Sequence, residues 1–357
     1  MTAIESPILP LVSIVLPVKD GAQYIADSID SLLAQTFSDF ELIVIDDGST
    51  DQTAQIVKGY TDSRVSLVSQ ENQGVAKAAN KGFALAKGKY ITRHDHDDIS
   101  LPTRIEKQVQ FLEAYPECGM VGSWARIWNG ETPTNKLHCH PTSPGEITFA
   151  LLFNAPFVNA SCLFRREVLE WSRGYSEDES RIPPEDYEFF SRICQKFDLA
   201  NIPEYLMIYR EVPNSQSSAI RSAQESKKGI FVSHLVLFSA ENLAWACGNL
   251  EVDSDTHNFG CLIHGNYENL RAPVNLESIK EMLVKAADAL AIRFHEPAIL
   301  KILKDRLLFL DYQYHTYMGN TLHSSRLKYL YLNRPWHENL GSIGRLLKRL
   351  LGQSIAS

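Results

Sequence analysis

Short apolar, β-branched runs alternate with helical periods along the first hundred residues. "VSIVLP" (12–17) has the apolar continuity of a buried strand, and Tyr24, Ile25, Ser28, Ile29, Leu32 and Leu33 then recur at the spacing of one helix face. "ELIVIDDGST" (41–50) predicts a second strand running into acidic and turn residues, with Ser49 or Thr50 placed to cap the next helix. "RVSLVSQ" (64–70), a helical period over 74–87 and "KYITRHD" (89–95) predict a further strand, helix and strand. Such alternation implies right-handed crossovers, and hence an α/β fold with a mostly parallel sheet and helices on both faces. The alternation fades from about residue 145, and past about 215 the chain reads as helical, as in "ESIKEMLVKAADALAIRF". The Pro, Asn and Ser content of "EVPNSQSS" marks a connector, dividing the chain into an α/β domain, 1–214, and a helical region, 215–357.

Ligands of parallel sheets sit beyond the carboxyl ends of the strands. That rule selects Lys19 and Asp20, Asp46 and Asp47, and the acidic run in "ITRHDHDDISLPTR" (91–104). Like charges about 4 Å apart repel by roughly 4 kcal/mol at an effective dielectric near 20, so Asp95, Asp97 and Asp98 need a reason to be together. If the chain stays extended over 95–97, Asp95 and Asp97 converge and Asp98 turns away, a pair suited to a divalent cation with oxygen ligands.

The formal charge of −8 over 357 residues argues against broad nucleic-acid binding. Six scattered cysteines, with no CxxC pair, suggest neither a zinc site nor a disulfide scaffold. The first residues lack a basic leader region, so no secretory signal is expected. The longest apolar run, "GIFVSHLVLFSA" (229–240), is shorter than the about 20 residues a spanning helix needs. A cytoplasmic protein that does not cross a membrane unaided is the expectation.

The segments "VSIVLPVKDGAQYIADSIDSLLAQTFSDFELIVIDDGSTDQT", "NQGVAKAANKGFALAKGKYI", "HDHDDISLPTRIEKQ" and "PPEDYEFFSRI" together resemble the family 2 glycosyltransferases of GT-A fold, over about residues 11–214. The resemblance implies a pocket behind Pro17, Val18, Lys19 and Asp47 for the base and ribose of a nucleotide-sugar. It implies that Gly74, Lys77 and Asn80 line the donor pocket, at a helix start whose partial positive charge favours phosphate. Asp95 and Asp97 would match the DxD motif, Asp95 nearer the ribose and Asp97 on a Mg²⁺ or Mn²⁺ bridging the diphosphate. Asp186 in "EDY" would match the catalytic base of an inverting transfer. The chemistry suits these residue types, since transfer needs a Lewis acid for the leaving diphosphate and a base for the acceptor proton. Many members carry Tyr-Arg-x-His after the last strand of the domain, whereas "MIYREV" has Val212 at the His position. Tyr209 and Arg210 remain as the matching residues, with Arg210 a charged partner for phosphate.

Several of these residues admit a plainer reading. Asp46 and Asp47 suit a strand end, Asp95 to Asp98 a solvated turn, and Asp186 the first turn of a helix. Asn159 and Ser161 suit a core strand, and His138, Cys139 and His140 a surface loop. His94 and His96 are expected to be exposed or hydrogen-bonded. The C-terminal "SIGRLLKRLLGQ" puts Ile343, Leu346, Leu347, Leu350 and Leu351 on one stripe among Arg345, Lys348 and Arg349. Such a helix suits either docking on the chain itself or peripheral contact with an anionic membrane through 340–352. The expected function is transfer from a nucleoside diphosphate sugar, a UDP-sugar, to a glycan or glycolipid acceptor in surface polysaccharide synthesis. The alternatives are a non-catalytic nucleotide-sugar-binding module and a glycoside hydrolase using paired carboxylates.

Overall fold

A computed structural model describes residues 9–212, 225–320, 323–325 and 328–329. β1 (Val12–Val18) is buried along its whole length because parallel neighbours flank it, β2 (Phe40–Asp47) on one side and β4 (Tyr90–Arg93) on the other. β3 (Val65–Gln70) extends the parallel set beyond β2. The sheet continues from β4 through β8 (Leu163–Arg165), β6 (Cys118–Asn129) and β9 (Asp198–Glu211) to the short β5 (Ile99–Ser100), with β7 (Thr132–His138) on β6. Nine strands thus form one sheet among the described residues. The ladder between β6 and β9 is parallel, while β8, β5 and β7 pair antiparallel.

Both faces of β1 are used. Val12, Ile14, Leu16 and Val18 join Ile25, Ile29 and Leu32 of α1 (Ile25–Leu33) and Ile105, Val109 and Leu112 of α4 (Arg104–Ala114) in one core. Each such aliphatic side chain contributes about 1.5–3 kcal/mol on burial. On the other face Val15 meets α3 (Val75–Leu85) at Gly82, where a Cβ would lie 2.2 Å from the Val15 Cγ1. The glycine lets helix and strand approach this closely.

Three local expectations are corrected. Neither Ser49 nor Thr50 caps α2 (Thr53–Lys58): Ser49 accepts from the Asp20 N–H, Thr50 donates to Asp20, and Asp51 accepts from the Thr53 N–H at 2.9 Å. The chain is not extended over 95–97, because β4 stops at Arg93 and the Asp98 N–H closes a turn onto the Asp95 carbonyl at 3.2 Å. Asn159–Ser161 is a 3-10 turn and not a strand, with the Ser161 hydroxyl folded back on the Val158 carbonyl.

The chain forms two compact units, Met1–His234 and Leu235–Ser357, the first of which also holds the short helices α5 (Pro144–Ala150) and α6 (Arg166–Ser172) and then α7 (Glu185–Ile193). The connector foreseen at 214 falls within 213–224, outside the described residues. α8 (Glu225–Ala246) spans the change of unit. Its stretch Lys228–Ala246 is long and apolar enough to cross a membrane by length and composition, at mean hydropathy 1.2. The apolar run counted from sequence fell short because the helix carries its apolar character past Ala240. Phe238, Leu243 and Ala244 are buried, and Ser239 Oγ meets His264 Nε2 at 2.9 Å, the packing of a core helix. The second unit also holds α9 (Ser254–Ile263), α10 (Leu276–Phe294) and α11 (Ala298–Tyr317).

Candidate active site

The acidic turn is built onto the end of β4. The His94 N–H donates to the Val15 carbonyl at 2.9 Å, which carries β4 one step beyond its ladder beside β1. The Ser28 hydroxyl of α1 reaches the Asp95 carbonyl at 3.3 Å. Gly21 leaves room for His96, since a Cβ there would lie 2.5 Å from the imidazole Cδ2. The loop after Pro17, Val18 and Lys19 is thereby brought against the turn, with Pro17 and Val18 buried and Lys19 exposed.

The three acids meet three different environments. The Asp95 Oδ1 accepts from Arg93 Nε at 2.9 Å and faces Arg93 Nη2 at 2.8 Å. Asp97 is 8% exposed, and no other described side chain forms a hydrogen bond or ion pair with it. Burial, then the nearby Asp95, raises its carboxyl above the usual range against the opposing pull of His96. Asp98 is 2% exposed and accepts the Arg210 N–H at 3.0 Å, while its Oδ2 has no hydrogen-bond partner. Burial and then Asp97 raise it well above the ordinary value. Asp98 does turn away, but into the protein. His94 is fully buried with neither ring nitrogen hydrogen-bonded, contrary to expectation, and burial drives it down to about 3, the neutral imidazole.

Two further strand ends reach the same edge of the sheet. Asp47 binds the Gln73 and Gly74 N–H groups at 2.8 Å and the Gln70 amide at 2.7 Å, so it shapes the loop into α3. Gly74 takes φ 89° at the helix entrance, and Lys77 is exposed. Asn80 is engaged by the 174–177 loop: it accepts the Tyr175 N–H at 2.9 Å and donates to the Tyr175 carbonyl and to Glu177. At the end of β9, Arg210 pairs with Asp27 at 2.8 Å and lies over the Tyr24 ring, with Nε and Nη1 buried and unpartnered. Val212 is buried just beyond it.

Asp186 lies in the first turn of α7 (Glu185–Ile193), where Glu185, Asp186 and Glu188 complement the helix dipole after Pro184. Its Oδ1 accepts the Tyr187 N–H at 2.7 Å. It is half-buried, and burial, then the charge of Glu185, pushes its carboxyl up to about 6. The Tyr187 N–H and Arg93 oppose that rise. Arg93 joins the motifs, because Nη1 meets Glu185 Oε1 at 3.0 Å while the other side of the fork holds Asp95. Sequence reading missed Arg93. The available signal was an arginine at the end of a short buried strand, "YITR", directly before the acidic run.

His138 and His140 stack with centroids 5.7 Å apart, and burial lowers both. Among the described residues no three His, Cys, Asp or Glu side chains converge as a metal site. A cation at the turn would therefore take at most two protein carboxylates, with the rest of its shell from phosphate and water, as Mg²⁺ accepts. Asp97, without a partner, and the free Oδ2 of Asp95 fit a hard cation of this kind.

The profile of the glycosyl transferase family 2 matches residues 13–171. An uncharacterised glycosyltransferase of Haemophilus influenzae is 32% identical over 264 residues, covering 68% of this chain and 76% of that protein. The O-antigen biosynthesis glycosyltransferase WbnJ of Escherichia coli is 34% identical over 222 residues, covering 60% and 85%. The chain belongs to the family 2 glycosyltransferases. Residues 1–349 of S. aureus TarS, solved in complex with UDP-GlcNAc, share the fold at TM-score 0.57 and 17% identity, over 90% of this chain and 91% of that one. This family 2 glycosyltransferase accordingly has the α/β fold read from its strand and helix pattern, of the GT-A-like kind that the resemblance implied, followed by a helical region.

Proposed function

We propose that the enzyme moves a sugar from a nucleoside diphosphate sugar, a UDP-sugar, to a glycan or glycolipid hydroxyl with inversion at the anomeric carbon. The acceptor oxygen attacks that carbon, the bond to the diphosphate breaks, and Asp186 takes the acceptor proton. Asp97 and Asp95 would hold Mn²⁺ or Mg²⁺, which when bound supplies charge stabilisation for the departing diphosphate. Arg210, with two buried unpartnered guanidinium nitrogens, Nε and Nη1, is a further partner for phosphate. The observation that carries the reading is the placing of Asp186: a half-buried acid with its carboxyl raised to about 6, linked through Glu185 and Arg93 to the acidic turn. Such an acid is tuned to take a proton near neutral pH.

The solved complex of TarS with UDP-GlcNAc supports the uridine donor, and the O-antigen role in WbnJ's name supports a surface polysaccharide acceptor. Calorimetric titration of UDP with and without Mn²⁺ tests the donor half. UDP is expected to bind only with the metal, and Asp97→Ala to abolish that binding. Equal binding with and without Mn²⁺ would remove the metal from the scheme.

A further inference from the structure

Arg93 contacts Asp95 of the proposed cation pair directly, and reaches the proposed base, Asp186, only through its neighbour Glu185. Its Nε and Nη2 lie on Asp95 Oδ1, two residues before Asp97, and its Nη1 lies on Glu185 Oε1, one residue before Asp186. The arginine and Glu185 side chains are each 6% exposed, so the link forms away from bulk water, where charge-assisted hydrogen bonds are strong. A guanidinium stays protonated and planar, so one fork holds two carboxylates at a fixed separation, which a point-charge ammonium cannot do. The fork is itself supported. It lies 5.6 Å from the centroid of the Tyr175 ring, whose hydroxyl binds Asn159 Oδ1 at 3.0 Å and whose backbone is held on both sides by Asn80.

We propose that Arg93 is a positioning residue that couples the acidic turn to the first turn of α7, so that a cation and diphosphate arriving at Asp95 and Asp97 tighten the seat of Asp186. The inference rests on the metal and base assignments proposed above. Asp95, which Arg93 balances in the free protein, would share its negative charge with a bound divalent cation, and Arg93 would then lean on Glu185. The share of its charge released from Asp95 would strengthen the link to α7. The base-bearing turn is therefore held most firmly when the donor site is filled.

Hydrogen exchange over residues 184–193, with and without UDP and Mn²⁺, reads this coupling without any acceptor. In the wild-type protein, saturation with UDP and Mn²⁺ should slow exchange in the first turns of α7 by threefold or more. Arg93→Lys should bind UDP with Mn²⁺ within about threefold of wild type by calorimetry yet lose the slowing. A purely structural arginine would shift exchange equally with and without ligand, and that result overturns the proposal. So does full slowing in Arg93→Lys, or an unchanged α7 in the saturated wild type. If Arg93→Lys does not fold, Glu185→Gln decides: it keeps an acceptor for Nη1, removes the charge, and should lose most of the slowing, whereas undiminished slowing overturns the coupling. Absence of any metal-dependent UDP binding in the wild type is seen separately in the calorimeter and removes the donor-site reading together with this one.

Discussion

At the scale of single residues, three neighbouring aspartates carry different expectations. Asp98 is buried in a setting that favours its neutral form, so Asp98→Asn keeps size and an acceptor for the Arg210 N–H without a buried charge. Its melting temperature should equal or exceed that of the wild type. Asp98→Ala leaves that buried N–H without its partner, at a cost of about 1–3 kcal/mol, and should melt lower. For Asp186 the sign runs one way for stability and the other for rate. Its folded pKa of about 6 lies above the ordinary 3.8, so the native state holds the proton more tightly. The stability it contributes is full below about pH 4 and is lost as pH rises through 6. A base must be unprotonated, so kcat/KM, which reports the free enzyme, should rise through pH 6 and level above 7. A profile flat from pH 5 to 8 would remove Asp186 from the rate equation. The acids were visible in the sequence because charges at apolar strand ends stand out. Their separate roles were not, since these depend on Arg93 and Arg210, the latter over a hundred residues away along the chain.

At the scale of elements, the strands were legible from short runs of β-branched and aliphatic residues, continuous in the buried β1 and interrupted by exposed Ser66 and Ser69 in the edge strand β3. β1 and β3 fall within a residue of their expected bounds. The turn at 95–98 was not legible, because its closing bond is backbone to backbone and leaves no mark in side-chain type. The 3-10 turn at 159–161 was hidden similarly, its apolar flanks being those of a strand. The packing of α3 on β1 yields a test. Gly82→Ala gains about 1 kcal/mol in helix propensity, but its methyl would lie 2.2 Å from a Val15 carbon fixed in the sheet. Overpacking of this kind costs about 1–3 kcal/mol, so urea denaturation should show net destabilisation. Adding Val15→Ala should recover part of it; additive losses would place the strain elsewhere.

At the scale of the whole molecule, the family follows from the 32% identity to the Haemophilus influenzae glycosyltransferase, with the family profile over residues 13–171 in agreement, and the GT-A-like fold from likeness to TarS. The basic stripe at 340–352 lies outside the described residues and remains a proposal from sequence. Removing residues 340–357 should reduce sedimentation with anionic liposomes at low salt, leaving metal-dependent UDP binding unchanged. If the full-length protein ignores such liposomes, the peripheral contact is wrong. The transfer mechanism itself is tested most directly by comparing wild type with Asp186→Asn, once a screen of UDP-sugars and glycan acceptors has supplied a substrate pair. Asparagine keeps the size and the bond to the Tyr187 N–H while removing the proton acceptor. Turnover should fall by roughly a hundredfold or more, the scale of general-base catalysis, with UDP affinity in Mn²⁺ and melting temperature near wild type. Near-normal turnover in Asp186→Asn would contradict the assignment of Asp186 as the base.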